Sequence, residues 1–250
     1  MKQNGTLFKV LAGFIIFITI SANAFTQEKP KWDLTLNTDI YSRYVWRGLL
    51  LGGSAPSIQP KVELKKGNFT LGAWGAFSMS GQSNQEVDLY ASYTLNSLFT
   101  FTLTDYFFPN EAASYDYFNY DKDKTTHVFE AMVKYNGTEK LPLSFMIATN
   151  VYGNDARKTN GNITYSTYAE LAYTTKIKET GFNAFIGSAI NTPGDDLPGF
   201  YGNTKTGIIN LGCTATKSIE VTDKFSLPMN SSVIINPYDR KIFFVVGFTF

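Results

Sequence analysis

Lys241-Ile242-Phe243-Phe244-Val245-Val246-Gly247-Phe248-Thr249-Phe250 ends the chain. Counting back from the C-terminus, every second side chain is apolar or aromatic, and these side chains share one face of an extended strand. Termini usually fray into water, so a soluble domain rarely ends this way. The closing strand of an outer-membrane barrel explains the pattern, because its outward face meets lipid and its last aromatic lies at the membrane interface. The alternative is a buried terminal strand of a soluble, exported β-sandwich.

The N-terminus predicts export. Lys2 and Lys9 form a basic region, residues 10–20 are mostly apolar, and Ala22 and Ala24 fit cleavage after Ala24. The apolar run is shorter than the roughly 20 residues that a transmembrane helix needs. We therefore expect a signal peptide over residues 1–24 and a single barrel domain over residues 25–250.

The composition agrees with a sheet that meets lipid. Aromatic residues make up 16% of the chain, whereas the mean hydropathy is only −0.12. Strands with one apolar and one polar face produce this combination. The formal net charge is +1, so we expect no nucleic-acid partner. Cys213 is the only cysteine and His127 the only histidine, which excludes an internal disulfide and argues against a zinc site. We expect no metal and no cofactor.

Strict alternation from Trp32 to Arg47 predicts the first strand. Further strands are predicted at about 57–66, 68–80, 85–95, 98–108, 125–135, 141–152, 162–175, 182–191, 205–216, 224–236 and 241–250. Short polar turns tend to alternate with longer segments, as periplasmic turns alternate with outer loops in bacterial barrels. The pattern predicts an antiparallel transmembrane β-barrel of about twelve strands, with ten or fourteen as alternatives. Pro60 and Pro228 fall inside predicted strands and indicate a bulge or a local break.

Three segments follow one another in a distinctive order: Ser42-Arg43-Tyr44-Val45-Trp46-Arg47-Gly48, Gly72-Ala73-Trp74-Gly75 and Glu86-Val87-Asp88-Leu89-Tyr90. This order resembles a family of bacterial proteins of uncharacterised function. Its members typically have a first strand that ends in Arg-Gly, then a "G-x-W-x-S"-like strand and an acidic-aromatic strand, and a final Phe. Gly75-Ala76 stands where a G-S step is usual. The resemblance spans about residues 32–250 and implies an outer-membrane or similar barrel, without an activity.

The polar faces of the strands supply the candidate functional residues. Alternation turns a set of charges and aromatic rings toward the lumen: Asp39, Tyr41, Arg43, Arg47, Lys61, Glu63, Trp74, Glu86, Asp88, Tyr90, Glu130, Lys134 and Glu170. Such a lining suits a narrow passive channel for small hydrophilic solutes. Twelve strands lie between filled barrels of eight strands and open porins of sixteen or more, so the lumen is compatible with either state. We expect Arg43 and Arg47 to face Glu86 and Asp88 across the lumen.

Two other functions remain open. The barrel could be closed and act through its outer loops as a structural or binding module. A membrane lipid hydrolase needs a histidine beside a nucleophile, and His127 has no Ser two residues on, so we expect a rim histidine and no enzyme activity. The acidic loop Tyr115–Asp123 lacks the spacing of a calcium loop.

The expected location is the outer membrane of a Gram-negative bacterium. The expected partners are outer-membrane lipid, an unidentified small hydrophilic solute and the barrel-assembly machinery, which would recognise the terminal Phe250.

Overall fold

A computed structural model describes residues 31–80, 85–109 and 115–250. The strands within them are β1 (Asp33–Tyr41), β2 (Val45–Trp46), β3 (Leu49–Leu50), β4 (Ser57–Lys66), β5 (Phe69–Ser78), β6 (Glu86–Leu95), β7 (Phe99–Phe107), β8 (Val128–Tyr135), β9 (Leu143–Gly153), β10 (Thr167–Ile177), β11 (Thr180–Ile190), β12 (Gly207–Thr222), β13 (Phe225–Asn236) and β14 (Lys241–Thr249). None of these residues forms a helix that is long and apolar enough to cross a membrane. The predicted signal peptide over 1–24 lies outside the described residues, and so do residues 81–84, between the strands predicted at 68–80 and 85–95.

Twelve of the strands close one antiparallel barrel, in which each strand pairs with its neighbours in sequence and β14 returns to β1. The remaining two, β2 and β3, pair only with each other. The predicted antiparallel barrel of about twelve strands is therefore confirmed, and counts of ten and fourteen are not.

The connections differ between the two ends of the barrel. At one end, which we call the turn end, they cover residues 67–68, 96–98, 136–142, 178–179 and 223–224. At the other, the loop end, they cover residues 42–56, 79–85, 108–127, 154–166, 191–206 and 237–240. The N-terminal end of β1 and the C-terminal end of β14 both lie at the turn end, because β14 runs antiparallel to β1.

The outside of the barrel is apolar. Every second side chain points outward, and the exposed large residues include Leu34, Leu36, Ile58, Val62, Leu64, Leu71, Leu89, Val133, Phe145, Ile147, Leu171, Ile186, Leu211, Val233 and Ile242. Exposed aromatic residues mark the two ends of this surface, with Trp32, Phe99, Tyr173 and Phe225 near the turn end and Phe77 and Phe244 nearer the loop end. An apolar surface that encircles a protein is far larger than the patches that water-exposed monomers tolerate.

The contact between β1 and β14 is the shortest in the barrel. Asp39–Tyr41 pair with Gly247–Thr249, and the backbones of Thr38 and Phe250 exchange two hydrogen bonds of 3.0 and 2.9 Å. Below this point, residues 33–37 pair with β4 alone. β14 therefore does not extend along the turn-end half of β1, and that half has no neighbouring strand on this side.

Both prolines lie where the ladder has room for them. Pro60 pairs with Thr38 of β1, but the ladder between β4 and β5 has no pair at residues 59 and 60. Pro228 pairs with Ser218 of β12 and lies beyond the last pair between β13 and β14. A strand can hold a proline at such a break or free edge because no ladder donor is missing there.

Three predicted boundaries are wrong. The first strand ends at Tyr41 instead of Arg47, the strand predicted at 162–175 begins at Thr167, and the strand predicted at 205–216 continues to Thr222 in β12. Alternation persists in residues 42–47 although the chain has left the wall. The last residues of β12, from Lys217 to Thr222, are exposed, and polar residues alternate there with Ile219 and Val221.

Candidate functional site

A bend at Ser42 turns the chain from the wall into the lumen. The backbone N–H of Ser42 donates to the Val246 carbonyl, and the Ser42 hydroxyl accepts from the N–H of Val246. The hydroxyl thus replaces the next backbone partner of β14, so the ladder can end here. The chain then forms the β2–β3 hairpin, whose two turn residues, Arg47 and Gly48, have φ of 48° and 79°. Two positive φ angles are typical of the type I′ turn of a tight hairpin.

The tip of this hairpin lies against β12 and β13 of the wall. A Cβ atom on Gly48 would come within 1.9 Å of the Ile209 carbonyl oxygen, so only glycine fits this approach. The side-chain amide of Asn236 donates to the Gly48 carbonyl at 3.2 Å. Trp46 packs against a buried cluster that includes Tyr168, Tyr201 and Ile209. The hairpin therefore reaches across the lumen and closes it near the loop end.

Arg47 anchors the hairpin through a buried ion pair. Its two terminal nitrogens donate to the two carboxylate oxygens of Glu130 at 2.5 and 2.9 Å, and Nη1 also donates to the Tyr201 hydroxyl at 2.8 Å. The guanidinium lies 4.4 Å from the ring centroid of Trp46 and 4.6 Å from that of Tyr168. This combination of a bidentate carboxylate and two aromatic faces suits arginine and not lysine.

The surroundings of Arg47 keep it charged. Burial alone would lower its pKa, but the Glu130 carboxylate, followed by the hydroxyls of Tyr201 and Tyr106, raises the net pKa well above its ordinary value. Removing one partner of such a buried pair leaves the other charge without compensation. Loss of either Arg47 or Glu130 should therefore destabilise the contact between the hairpin and the wall.

Tyr44 makes a second contact with the wall. Its hydroxyl donates to Glu86 at 2.9 Å, and its ring lies 5.5 Å from that of Trp74. Burial, together with the Glu86 charge, raises the pKa of Tyr44 well above its usual value, so the hydroxyl remains a donor. Asp88, two residues further along β6, is buried, and its Oδ1 has no hydrogen-bond partner.

We expect Arg43 and Arg47 to face Glu86 and Asp88 across the lumen, but among the described residues neither arginine forms an ion pair with either carboxylate. Arg47 pairs with Glu130 on β8, and Glu86 accepts from Tyr44. The bend at Ser42 ends the period-two geometry, so residues four apart no longer share a face. The Nε of Arg43 is buried without a hydrogen-bond partner.

The lumen therefore has two parts. We call the filled part the loop half; it is lined by Glu86, Asp88, Tyr106, Glu130, Tyr168 and Asn210, all of which are buried. Glu170 lies at its edge, where it accepts from Tyr168 and Asn210. Only one of the carboxylates in this half, Glu130, has an ion-pair partner among the described residues.

We call the other part the turn half; it is lined by Lys61, Glu63, Tyr90, Lys134 and Thr216, which are partly or fully exposed. Lys61 lies 3.2 Å from Glu63, with side chains 32% and 28% exposed, and the Tyr90 hydroxyl donates to Glu63 at 2.7 Å. Asp39 and Tyr41 lie at the contact between β1 and β14, where they bond to Thr249 and Asn230. The predicted lumen residues thus fall into two environments, one filled and one open to water.

His127 is buried on the outside of the barrel under the loop that precedes β8. Its Nδ1 lies 2.8 Å from Oδ1 of Asp105, and its Nε2 lies 2.7 Å from the Tyr117 carbonyl oxygen. The rings of Phe107, Tyr117 and Tyr120 lie within 5.0 Å of the imidazole. Both ring nitrogens are engaged by acceptors, so this histidine fastens the loop to the wall and presents no free nitrogen to a nucleophile.

Several residues of the loop half are not among those that the sequence predicts to line the lumen. Tyr106 is on the inward parity of a predicted strand and could have been found by extending the alternation. Trp46 lies on the apolar face of the alternating segment 32–47, which predicts an outward side chain, and Tyr201 lies in a loop without any periodic pattern. The described residues contain no group of three or more His, Cys, Asp or Glu side chains placed to hold a metal ion.

Comparison with protein-family models gives one match. The model of Gcw_chp, described as a bacterial protein of unknown function, matches residues 26–210. The chain belongs to the Gcw_chp family. The match includes the inward-folded hairpin and its partners from β1 to β11, so the loop half of the lumen lies almost entirely within the Gcw_chp region. No curated protein matches the chain.

Proposed function

We propose that this Gcw_chp member is a bacterial outer-membrane barrel that passes small hydrophilic solutes passively, with the segment 42–56 as its gate. One observation carries the proposal: near the loop end, a hairpin folds into a polar lumen, and a buried ion pair, Arg47–Glu130, helps to fasten it to the wall.

The location rests on the outer surface. An apolar face that surrounds a closed barrel, with aromatic residues at both ends, suits a membrane, and closure leaves no sheet edge through most of its height. The terminal Phe250 is exposed and outward-facing, where the assembly machinery would read it. Heat-modifiable migration of the folded protein on a gel tests this part, because a closed membrane barrel resists unfolding in detergent at room temperature.

The direction of selectivity follows from the charges near the gate. Glu86, Asp88 and Glu170 are carboxylates without an ion-pair partner among the described residues, so an opened lumen would favour cations. We infer passive transport and no catalysis, since His127 is occupied by Asp105 and the Tyr117 carbonyl.

The test is planar-bilayer conductance of the refolded protein and of a variant in which residues 45–50 are replaced by a short glycine linker. The unaltered barrel should conduct rarely, and the variant should show discrete, cation-selective steps. Lys241→Gln, which breaks an exposed ion pair with Asp239 at the loop end, is the matched control and should behave like the unaltered barrel. A variant without the hairpin that folds and still does not conduct would contradict the gate and favour a closed binding module.

A closed barrel that acts as a binding module is the second candidate function, and the loop that covers His127 favours it. Tyr115, Tyr117, Phe118 and Tyr120 cluster on the loop-end surface around Phe107, and the Phe118 side chain is 80% exposed. Exposed aromatic side chains in a fixed arrangement are suited to bind sugars or a protein partner.

A further inference from the structure

The outer wall carries a groove beside the contact between β1 and β14. Its volume is about 490 Å³, which is within the range of small-molecule pockets. The outward-facing residues that line it are Leu36, Thr38, Pro60, Val62, Ala73, Gly75, Phe77, Val87 and Phe250, and Asn37, Lys61 and Trp74 complete the lining. The groove is thus mostly apolar and lies on the surface that would face lipid.

The local sequence explains why the outer surface of the wall is recessed at this place. Ala73 and Gly75 have little or no side chain, and the ladder between β4 and β5 is interrupted around Pro60. Leu36 and Phe250 stand on either side of the place where β14 ends, and Phe77 stands at the loop-end side. The groove is therefore a built feature of four strands and of the chain terminus.

A cation and an aromatic ring lie below the groove, at the turn end of the same face. The Lys66 ammonium is 5.1 Å from the ring centroid of Trp32, and Lys66 is exposed. Leu34 and Leu64, both exposed, connect this pair to the groove. An ammonium held over tryptophan at a membrane rim lies at the level of lipid headgroups.

The distance between the two features fits one lipid. Six residues separate Lys66 from Pro60, which is roughly 20 Å along a strand. A strand tilt of about 40° reduces this to roughly 15 Å across the membrane. Half of a hydrocarbon core of about 30 Å has the same depth, so the groove and Lys66 span one leaflet.

We propose that this face binds one phospholipid of the leaflet at the turn end, with an acyl chain in the groove and the phosphate beside Lys66. The proposal rests on the membrane insertion proposed above. A phospholipid suits the site better than a peptide, because the groove is apolar and outward-facing and the outward-facing cation on the same strand, Lys66, lies at headgroup depth.

The test is native mass spectrometry of the protein, extracted into detergent from phosphatidylglycerol liposomes. The unaltered protein should retain bound phosphatidylglycerol. Ala73→Phe fills the groove and should reduce the retained fraction about tenfold or more, since excluding even two methylenes is worth that much. Ala131→Phe is the matched control, because Ala131 is an exposed, outward-facing alanine on β8 away from the groove, and it should retain lipid as the unaltered protein does.

Lys66→Gln distinguishes binding of the lipid headgroup from binding of the acyl chain. It should reduce retention of phosphatidylglycerol but leave retention of diacylglycerol, which has no phosphate, unchanged. Equal retention by Ala73→Phe and Ala131→Phe would overturn the site, and so would retention of detergent alone by the unaltered protein. Ala73→Leu replaces Ala73→Phe if the latter loses its heat-modifiable migration. Failure of the unaltered protein to insert into liposomes would instead contradict the membrane location.

Discussion

The two halves of the lumen use the same pair of residue types in different surroundings. In the loop half, Tyr44 donates to Glu86 where both side chains are buried. In the turn half, Tyr90 donates to Glu63 where the carboxylate is partly exposed. The first bond fixes a segment that blocks the lumen, whereas the second joins two strands of an open wall. A polar lining alone therefore does not make a passage, because the segment after β1 occupies the loop half.

The largest effect is expected from Arg47→Ala. It leaves the Glu130 carboxylate buried without its ion-pair partner, which typically costs about 3–5 kcal/mol. Urea unfolding in liposomes should show this loss in the free energy of unfolding. Lys241→Gln, which removes an exposed pair, should change it by less than about 1 kcal/mol. Equal stability of the two variants would mean that the hairpin is not held by Arg47.

A pair of glycine substitutions compares the halves without changing any charge. Gly48→Ala places a Cβ against the Ile209 backbone at a φ of +79°, so the hairpin tip must move, at a cost of about 1–3 kcal/mol. Gly72→Ala, in the turn half, meets the far end of the Tyr90 ring, which can swing away. In a Trp32→Phe, Trp74→Phe background, Gly48→Ala should increase iodide quenching of Trp46 fluorescence and Gly72→Ala should not. The opposite order would remove the distinction between the halves.

A smaller difference is expected for the two tyrosines. Tyr44→Phe leaves buried Glu86 without its donor and should cost about 1–2 kcal/mol. Tyr90→Phe should cost less than about 1 kcal/mol, because water can replace the hydroxyl at the partly exposed Glu63. Urea unfolding of both variants measures the difference. If Tyr90→Phe proves as costly as Tyr44→Phe, the turn half is as closed to water as the loop half.

The sequence predicts the wall well because the period of a strand is local. Alternation at Val62, Leu71 and Leu171 identifies the outward face residue by residue, and all three side chains are exposed. Closure into twelve strands follows from the number of such segments and from the turns between them.

The sequence does not predict that the segment 42–56 folds into the lumen, because its contacts depend on closure of the barrel. Arg47 and Tyr201 are 154 residues apart, and they meet only when the barrel is complete. The bend at Ser42 depends on a side-chain bond to Val246 at the other end of the chain, so alternation alone extends the first strand too far.

Thiol labelling in liposomes tests the central claim most directly. In a Cys213→Ser background, Thr216→Cys places a thiol in the turn half, where the position is exposed, and Ser232→Cys places one in the loop half, where it is buried. Both positions face inward on adjacent strands, because Thr214 and Ser232 bond across the pair. A charged, water-soluble thiol reagent should label Thr216→Cys rapidly and Ser232→Cys slowly, and Arg47→Ala should speed the second reaction. Equal rates at the two positions would contradict a lumen that is closed at the loop end.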